Sequence, residues 1–178
     1  MIITTIQRIP LLGITAYSGT GKTTLLKQLI PALSNMDIRC ALIKHSHHNM
    51  DIDIPGKDSY ELRKAGASQT IVACDQRWAL MTETPDRAIS LTELADKFDV
   101  NQIDLVLVEG FKHEPINKIA LFRRSVGKPL DGLIDNHVIA LATDEEISVN
   151  VPLLDINNLE QIADFIQSWL NNKNIIVN

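Results

Sequence analysis

The chain carries the stretch Leu11-Leu12-Gly13-Ile14-Thr15-Ala16-Tyr17-Ser18-Gly19-Thr20-Gly21-Lys22-Thr23-Thr24, which decides its fold. An apolar run that ends at Ala16 predicts a strand, and a loop with two glycines follows it. The apolar spacing from Lys22 to Ser34 then predicts a helix. A strand, a glycine-containing loop and a helix in this order are typical of a phosphate-binding loop. The stretch therefore predicts nucleotide binding, although Ala16 stands where the first glycine of the pattern is usual.

The residues of this loop match the parts of a nucleotide triphosphate and its metal ion. Glycines let the backbone N–H groups converge on one anion, and the helix N-terminus adds partial positive charge. Lys22 is predicted to reach the outer phosphates, and Thr23 to offer its hydroxyl to Mg²⁺. A plain glycine turn is the alternative, but it does not explain the lysine and the threonines. The nucleotide-binding residues predicted here are Ser18, Gly19, Thr20, Gly21, Lys22, Thr23 and Thr24.

Length and composition indicate a single domain over residues 1–178. The chain has 178 residues, is 45% hydrophobic and has a net charge of −5. That balance argues against a general nucleic-acid surface, which would need an excess of basic residues. No apolar run reaches membrane-spanning length and no signal peptide is recognisable, so we expect a cytoplasmic protein without a membrane partner. Cys40 and Cys74 lie in apolar runs and are predicted to be small buried thiols.

Strand and helix patterns alternate along the chain, which predicts an α/β fold with a mostly parallel sheet flanked by helices. Together with the phosphate loop, this fold is that of a P-loop NTPase. Further strands are predicted at about 38–44, 103–108, 118–123, 138–142 and 151–154. Further helices are predicted at about 58–65, 91–98 and 158–170. The apolar centre of 38–44 suggests a strand covered on both faces. Runs at 68–74 and 77–82 predict a short antiparallel hairpin that supplies edge strands.

Glu109 is the second functional signal. It follows the strongest apolar run of the chain and precedes Gly110. A carboxylate at a strand end beside a phosphate loop can hold a Mg²⁺-bound water or the attacking water, so Glu109 is a candidate catalytic residue and metal ligand. The alternative is an exposed acid without function. Asp104, at the far end of the same run, is interpreted as structural.

The polar stretch after Lys44 is a candidate switch segment, because open α/β sheets bind ligands beyond the carboxyl ends of their strands. Its aspartates are Asp51, Asp53 and Asp58. We assign Asp53 as a candidate metal ligand and Asp58 as a candidate catalytic residue. Asp58 is alternatively the cap of the following helix, since Glu61 would complete a capping box.

Lys44 and the histidines that follow it each allow two functional interpretations. Lys44 is a candidate phosphate contact, and a solvated lysine is the equal alternative. Histidines 45, 47 and 48 indicate a transition-metal site only weakly, because no cysteine or clear fourth ligand accompanies them. Polar loop residues near a phosphate or a partner are the preferred interpretation.

Thr143 and Asp144 follow a late strand, where base-reading loops often lie in nucleotide-binding domains. An aspartate can accept from both N–H groups of a guanine edge, so both residues are candidate nucleotide-binding residues. The alternative is a helix cap or a turn. Because the usual Asn-Lys-x-Asp run is absent, these residues alone do not select guanine over adenine.

Several stretches together resemble the molybdopterin-guanine dinucleotide biosynthesis protein B (MobB) family. They are Gly13 to Thr24, Ile43-Lys44-His45, Asp53 to Ser59, Ala65-Gly66-Ala67 and Val108 to Lys112. The combination is more specific than the phosphate loop alone. The resemblance implies a P-loop GTPase fold of the class shared with nitrogenase iron protein and dethiobiotin synthetase. It also implies binding of GTP with Mg²⁺, and weak hydrolysis.

The resemblance further implies a homodimer and an adaptor role beside MobA, the transferase that attaches GMP to molybdopterin. Carried over by position, residues 19–24 hold the phosphates and the metal, and Glu109 is the acidic residue of the class. Asp58 falls in the Gly-Lys-Asp-Ser segment of the family. Slow hydrolysis agrees with the sequence, where no glutamine or arginine is clearly placed to assist the attacking water.

Two other functions are compatible with the same phosphate loop. A small-molecule kinase or ATP-dependent ligase would need an acceptor pocket, which residues 45–57 could line. A partner-binding module with a decayed nucleotide site is disfavoured by the intact Gly21-Lys22-Thr23.

Overall fold

The computed structural model describes residues 8–46, 51 and 53–175. The chain divides into two compact units, one formed by residues up to His45 together with residues from Leu91 onward, and one formed by Ser46–Ser90. The expectation of one domain over residues 1–178 stays a prediction.

In chain order, the elements are β1 (Leu11–Ala16), α1 (Lys22–Ser34), β2 (Cys40–Lys44), α2 (Asp58–Lys64), β3 (Gln69–Cys74), β4 (Arg77–Thr82), α3 (Leu91–Ala95), β5 (Leu105–Glu109), β6 (Lys118–Phe122), β7 (Val138–Thr143), β8 (Leu153–Asp155) and α4 (Leu159–Ile175). The second unit contains α2 and the pair β3 and β4, and the first unit contains the others. In the described part of the chain, no helix is both long and apolar enough to span a membrane.

The first unit is built on a six-stranded sheet with the strand order β2-β5-β1-β6-β7-β8. Every neighbouring pair in it is parallel. β1 therefore lies between β5 and β6, with Gly13 opposite both Val108 and Lys118. Since parallel strands present their carboxyl ends at one edge, the loops after β1, β2, β5, β6, β7 and β8 all leave from that edge. The predicted α/β sheet is confirmed.

Apolar side chains cover both faces of this sheet. On one face, α1 and α4 pack together through fully buried residues that include Leu29, Leu33, Ile162 and Ile166. On the other face, Leu91 of α3 packs with buried residues of β2 and β5. The central strands β5 and β6 are buried along nearly their whole length, which explains why their apolar runs were readable in the sequence. α1 has the predicted bounds, whereas α3 is shorter and α4 longer than predicted.

β2 differs from its prediction. It begins at Cys40, two residues after the buried Ile38, and it forms one edge of the sheet. Leu42 is 42% exposed, so the interpretation of this strand as covered on both faces is wrong. The apolar run signalled a strand correctly, but the position of a strand in the sheet order is set by long-range pairing.

The second unit contains the predicted hairpin, with Ile71 opposite Leu80 and Ala73 opposite Trp78. It forms a two-stranded sheet of its own, and among the described residues it does not pair with the larger sheet. The hairpin itself is confirmed, but the prediction that it supplies edge strands is wrong, because strand pairing is set by the fold and not by the local pattern. None of the second unit's described residues is buried. Large apolar side chains are left exposed, with Ile71 at 65% and Trp78 at 68%.

Two local predictions, the cap of α2 and the burial of the two cysteines, are wrong. The N-cap of α2 is Lys57 rather than Asp58, which is the first helical residue and accepts a hydrogen bond from the Ser59 N–H at 2.9 Å. The capping box with Asp58 as the cap is therefore absent. Cys74 is exposed at the end of β3, and Cys40 is only half-buried. Both cysteines lie in apolar runs as predicted, but the strands that hold them are not enclosed.

Candidate nucleotide-binding site

The phosphate loop runs from Tyr17 to Gly21, between β1 and α1. Gly21 is the N-cap of α1 and has a φ of +98°, a conformation that L side chains rarely adopt. Since glycine has no side chain, nothing from the N-cap residue bonds the first N–H groups of the helix. Those donors, with the positive end of the helix dipole, remain available to an anion.

Lys22 folds back over this loop. Its ammonium group donates to the carbonyl oxygen of Ala16 at 3.0 Å and to that of Tyr17 at 3.3 Å. Burial lowers the pKa of Lys22, while the negative charge of Glu109 raises it and the positive charge of Lys44 lowers it further. A partly desolvated ammonium group that is held by two carbonyls is suited to receive a phosphate oxygen, because the anion would restore the stability of its charged form.

Glu109 lies at the end of β5, in register with Lys44 at the end of β2. The Lys44 Nζ and Glu109 Oε2 atoms are 3.4 Å apart. The side chain of Glu109 is only 12% exposed, whereas that of Lys44 is 55% exposed. The structure thus groups these two predicted residues at the edge of the sheet that carries the phosphate loop. It also excludes the reading of Glu109 as a freely exposed acid.

The oxygen atoms at this edge fit a magnesium ion, which prefers carboxylate, hydroxyl and water ligands. Thr23 is exposed in the first turn of α1, and Glu109 offers a carboxylate whose only neighbouring cation in the described ion pairs is Lys44. Such a pair could hold Mg²⁺ together with phosphate oxygens and water molecules. No Cys or His side chain is needed for this donor set.

Asp53 and Asp58 lie in the second unit. Asp53 Oδ1 accepts from the Ile54 N–H at 3.0 Å and from the Ser59 hydroxyl at 3.1 Å. Its Oδ2 atom is buried without a hydrogen-bond partner among the described residues. An oxygen atom of this kind could serve as a ligand to a cation. Asp58 is exposed. Their assigned roles stay predictions from the sequence.

Thr143 and Asp144 end and follow β7 at the same edge of the sheet. Thr143 is 5% exposed, and its hydroxyl accepts from the Glu145 N–H at 3.3 Å. Both carboxylate oxygens of Asp144 already accept hydrogen bonds, from Arg123 Nη1 at 3.4 Å and from the Arg124 N–H at 3.3 Å. Asp144 is therefore engaged with protein donors in this structure.

The histidine loop lies mostly outside the described residues. His47 and His48 are among the residues that the structure does not describe. The ring of His45 packs against that of Phe111, with the centroids 5.0 Å apart and the planes inclined at 57°. Within residues 8–46, 51 and 53–175, no group of three or more His, Cys, Asp and Glu residues could hold a metal ion.

A cleft of about 410 Å³ opens beside the phosphate loop. The loop and the start of α1 contribute one part of its lining, through Gly19, Thr20, Gly21 and Thr24. Arg123 and Asn157 contribute polar groups from the loops after β6 and β8, and the apolar part is formed by Leu25, Ile156 and Leu159. The cleft thus combines an anion cradle with polar and apolar walls, as a nucleotide site requires.

Arg123 and Asn157 are not among the site residues predicted from the sequence. Both follow strands, which is the signal that identified Glu109, but neither lies in a recognisable motif. Their place in the cleft depends on the strand order. Because β6 is the neighbour of β1, Arg123 follows the sheet beside the phosphate loop. That order is a property of the fold.

Residues 11–144 match the family model described as "Molybdopterin guanine dinucleotide synthesis protein B". The chain belongs to the MobB family. The MobB match extends from β1 to Asp144, so it includes the phosphate loop, Glu109 and Arg123.

Two bacterial relatives are similar over nearly their whole length. The molybdopterin-guanine dinucleotide biosynthesis adapter protein of Escherichia coli is 61% identical over 168 residues, which cover 93% of this chain and 96% of that protein. The protein of the same name from Haemophilus influenzae is 57% identical over 164 residues, covering 92% and 91% of the two chains.

Solved MobB structures share the fold. A crystal structure of molybdopterin-guanine biosynthesis protein B superposes with a TM-score of 0.73 at 22% identity, covering 89% of this chain and 99% of that one. Bacillus subtilis MobB gives a TM-score of 0.69 at 21% identity, covering 90% and 97%. The predicted P-loop fold with its parallel sheet is confirmed.

Proposed function

We propose that this chain is a GTP-binding adaptor with weak GTPase activity that assists molybdopterin guanine dinucleotide biosynthesis. The observation that carries the proposal is the phosphate loop: the ammonium group of Lys22 folds back over the loop, and the loop and the uncapped N-terminus of α1 line a cleft of about 410 Å³. Membership of the MobB family supports the pathway, since relatives are named adapter proteins of that biosynthesis. We propose that such an adaptor works in the cytoplasm, where GTP is available.

The proposal is tested first at Lys22. Replacing Lys22 by Ala removes the ammonium group that would bind the outer phosphates, so GTP binding measured by calorimetry should be abolished while the circular dichroism spectrum is retained. Lys27→Ala is the matched control, because Lys27 is an exposed lysine on the same helix. Unchanged GTP affinity of the Lys22→Ala variant would refute the assignment of the phosphate loop.

We propose Mg²⁺ as the cofactor, with Thr23 and Glu109 as its protein ligands. Bound there, the ion would neutralise charge on the phosphate oxygens. Lys44 has two possible tasks: it balances the Glu109 carboxylate in the structure, and it could contact a phosphate once the metal occupies that carboxylate. Hydrolysis is expected to be weak and is measured as phosphate release under single-turnover conditions.

The proposed partners are a second copy of the chain, the transferase MobA and other molybdenum cofactor proteins. Support for a homodimer comes from the second unit, which leaves Ile71, Trp78 and Leu80 exposed and has no buried residue in its described part. A unit of this size rarely forms a stable core alone, and association is one way to cover its apolar surface.

A pull-down from cell extract, with and without GTP, tests the adaptor role. Enrichment of molybdopterin enzymes that depends on GTP and is lost in the Lys22→Ala variant is the expected result. Stoichiometric phosphorylation of a small molecule, faster than the release of free phosphate, would instead identify a kinase and overturn the proposal.

A further inference from the structure

Arg123 is the one arginine in the lining of the cleft beside the phosphate loop, among the residues that the structure describes. Its Nη2 atom donates to Asn157 Oδ1 at 2.8 Å, and its Nη1 atom donates to Asp144 Oδ2 at 3.4 Å. The side chain is 30% exposed. Two acceptors from two different loops therefore fix a guanidinium plane in the wall of the cleft, and these bonds use two of its five N–H donors.

The chemistry of this group distinguishes the two common purines. Guanine presents two adjacent acceptors, O6 and N7, whereas adenine presents N7 beside an amino donor. A guanidinium group pairs with O6 and N7 through two parallel hydrogen bonds, and it meets a donor at the equivalent position of adenine. An arginine in this place favours guanine, while the apolar side chains of Leu25, Ile156 and Leu159 can contact the faces of either base.

The alternative reader of the base is Asp144, which would accept from the N1–H and the 2-amino group of guanine. Both of its carboxylate oxygens already accept from Arg123 and from the Arg124 N–H. It also does not line the cleft that contains the phosphate loop, whereas Arg123 and Asn157 do. The contacts of Asp144 therefore orient Arg123.

We infer that Arg123 selects guanine nucleotides over adenine nucleotides by donating to O6 and N7, and that Asp144 and Asn157 are positioning residues for its guanidinium group. The inference rests on the proposed binding of a nucleotide at the phosphate loop. It adds the residue that reads the base and the edge of the base that it reads.

The experiment measures the affinities of GTP, ITP, ATP and inorganic tripolyphosphate by calorimetry in the presence of Mg²⁺. Inosine keeps O6 and N7 but lacks the 2-amino group, so the wild-type chain should bind ITP about as tightly as GTP and should bind ATP about tenfold more weakly. In Arg123→Gln, the affinities for GTP and ITP should fall by about tenfold, while those for ATP and tripolyphosphate stay unchanged.

Arg124→Gln is the matched control. Its side chain is 83% exposed and pairs with Glu145, and the substitution keeps the backbone N–H that Asp144 accepts from. We expect it to leave all four affinities unchanged. Asp144→Asn should lower the preference for GTP over ATP while GTP and ITP stay equal, a pattern that a general loss of stability would not produce.

Four results would overturn the inference. If ITP bound to the wild-type chain much more weakly than GTP, the chain would recognise guanine through its 2-amino group. An equal loss for all four ligands in Arg123→Gln would make Arg123 a phosphate contact. Tight binding of tripolyphosphate with equal affinities for GTP and ATP would refute base selection and leave the phosphate loop intact, whereas no binding of any ligand would refute the proposed function as well.

Discussion

Gly110 is the residue that lets the candidate acid approach the neighbouring strand. Its φ is +94°, and a Cβ atom added to it would lie 2.8 Å from the His45 carbonyl oxygen and 3.0 Å from the His45 Cβ. The His45 N–H also donates to the Glu109 carbonyl oxygen at 2.8 Å. The loops after β2 and β5 are thus in contact directly beside Glu109.

We expect Gly110→Ala to destabilise the chain by about 2 to 3 kcal/mol, because it adds a backbone clash to the strain of a positive φ. Gly127→Ala is the control: its φ is +67° and the space around it is open, so only strain of about 1 kcal/mol applies. Urea unfolding measures both variants. Equal losses would show that the contact with His45 does not restrict this position.

Glu109 itself is tested through the metal dependence of nucleotide binding. In the wild-type chain, Mg²⁺ should tighten GTP binding, and in Glu109→Gln most of that increase should be lost because a charged ligand is replaced by a neutral amide. Affinity without Mg²⁺ should be equal or higher in the variant, since a negative charge near the phosphates is removed. If Mg²⁺ tightened GTP binding to Glu109→Gln as much as to the wild-type chain, Glu109 would not be a ligand of the metal ion.

At the level of elements, β2 and β5 are joined at their amino ends by Arg39 and Asp104. Arg39 donates to Asp104 through its backbone N–H at 2.8 Å and through two guanidinium nitrogens at 2.8 and 2.7 Å. The side-chain hydrogen bond from Arg39 is the main cause that lowers the pKa of Asp104, and burial opposes it. The structural interpretation of Asp104 agrees with these contacts.

Asp104→Asn should therefore lower stability in a pH-dependent way. The carboxyl of Asp104 has a lowered pKa in the folded chain, so its contribution is fully present above its ordinary value of 3.8 and is lost as the pH falls through the folded value. The difference in urea midpoint between wild type and variant should be constant near neutral pH and shrink below about pH 4. A difference that grows on acidification would contradict this assignment.

The hairpin of β3 and β4 carries the prediction about self-association. Ile71→Asp or Trp78→Asp places a charge on its exposed apolar face, so each should convert a dimer into a monomer in light scattering. Val100→Asp, an equally apolar and 51% exposed site in the first unit, should leave the dimer intact. A wild-type chain that is monomeric at all concentrations would refute the homodimer.

The sequence predicted the individual helices and strands better than it predicted their arrangement in the fold. The predicted hairpin of residues 68–74 and 77–82 and the bounds of α1 needed only local pattern, and both are confirmed. The edge position of β2 and the place of Arg123 in the cleft needed the strand order, which no local window contains. The side of the cleft that Arg123 and Asn157 form was therefore beyond sequence reasoning, while the phosphate loop was not.

For the molecule as a whole, nucleotide binding should be visible as stabilisation. At a free GTP concentration of about 100 times Kd, the folded chain gains about 2.7 kcal/mol. For a chain of this length, that corresponds to a rise in Tm of about 5 to 10 °C. Differential scanning calorimetry with GTP and Mg²⁺ should show this rise in the wild-type chain and not in Lys22→Ala. A full rise in the variant would place the bound nucleotide away from the phosphate loop.

The two cysteines have a practical consequence for spectroscopy. Burial, with the nearby charge of Asp104, raises the pKa of the Cys40 thiol to about 11, so little reactive thiolate forms there at neutral pH. Cys74 is exposed on the hairpin. A maleimide dye should therefore attach to Cys74 first, and mass spectrometry of the digested product checks the site. The native chain then carries a single fluorophore on the second unit, without any engineered substitution.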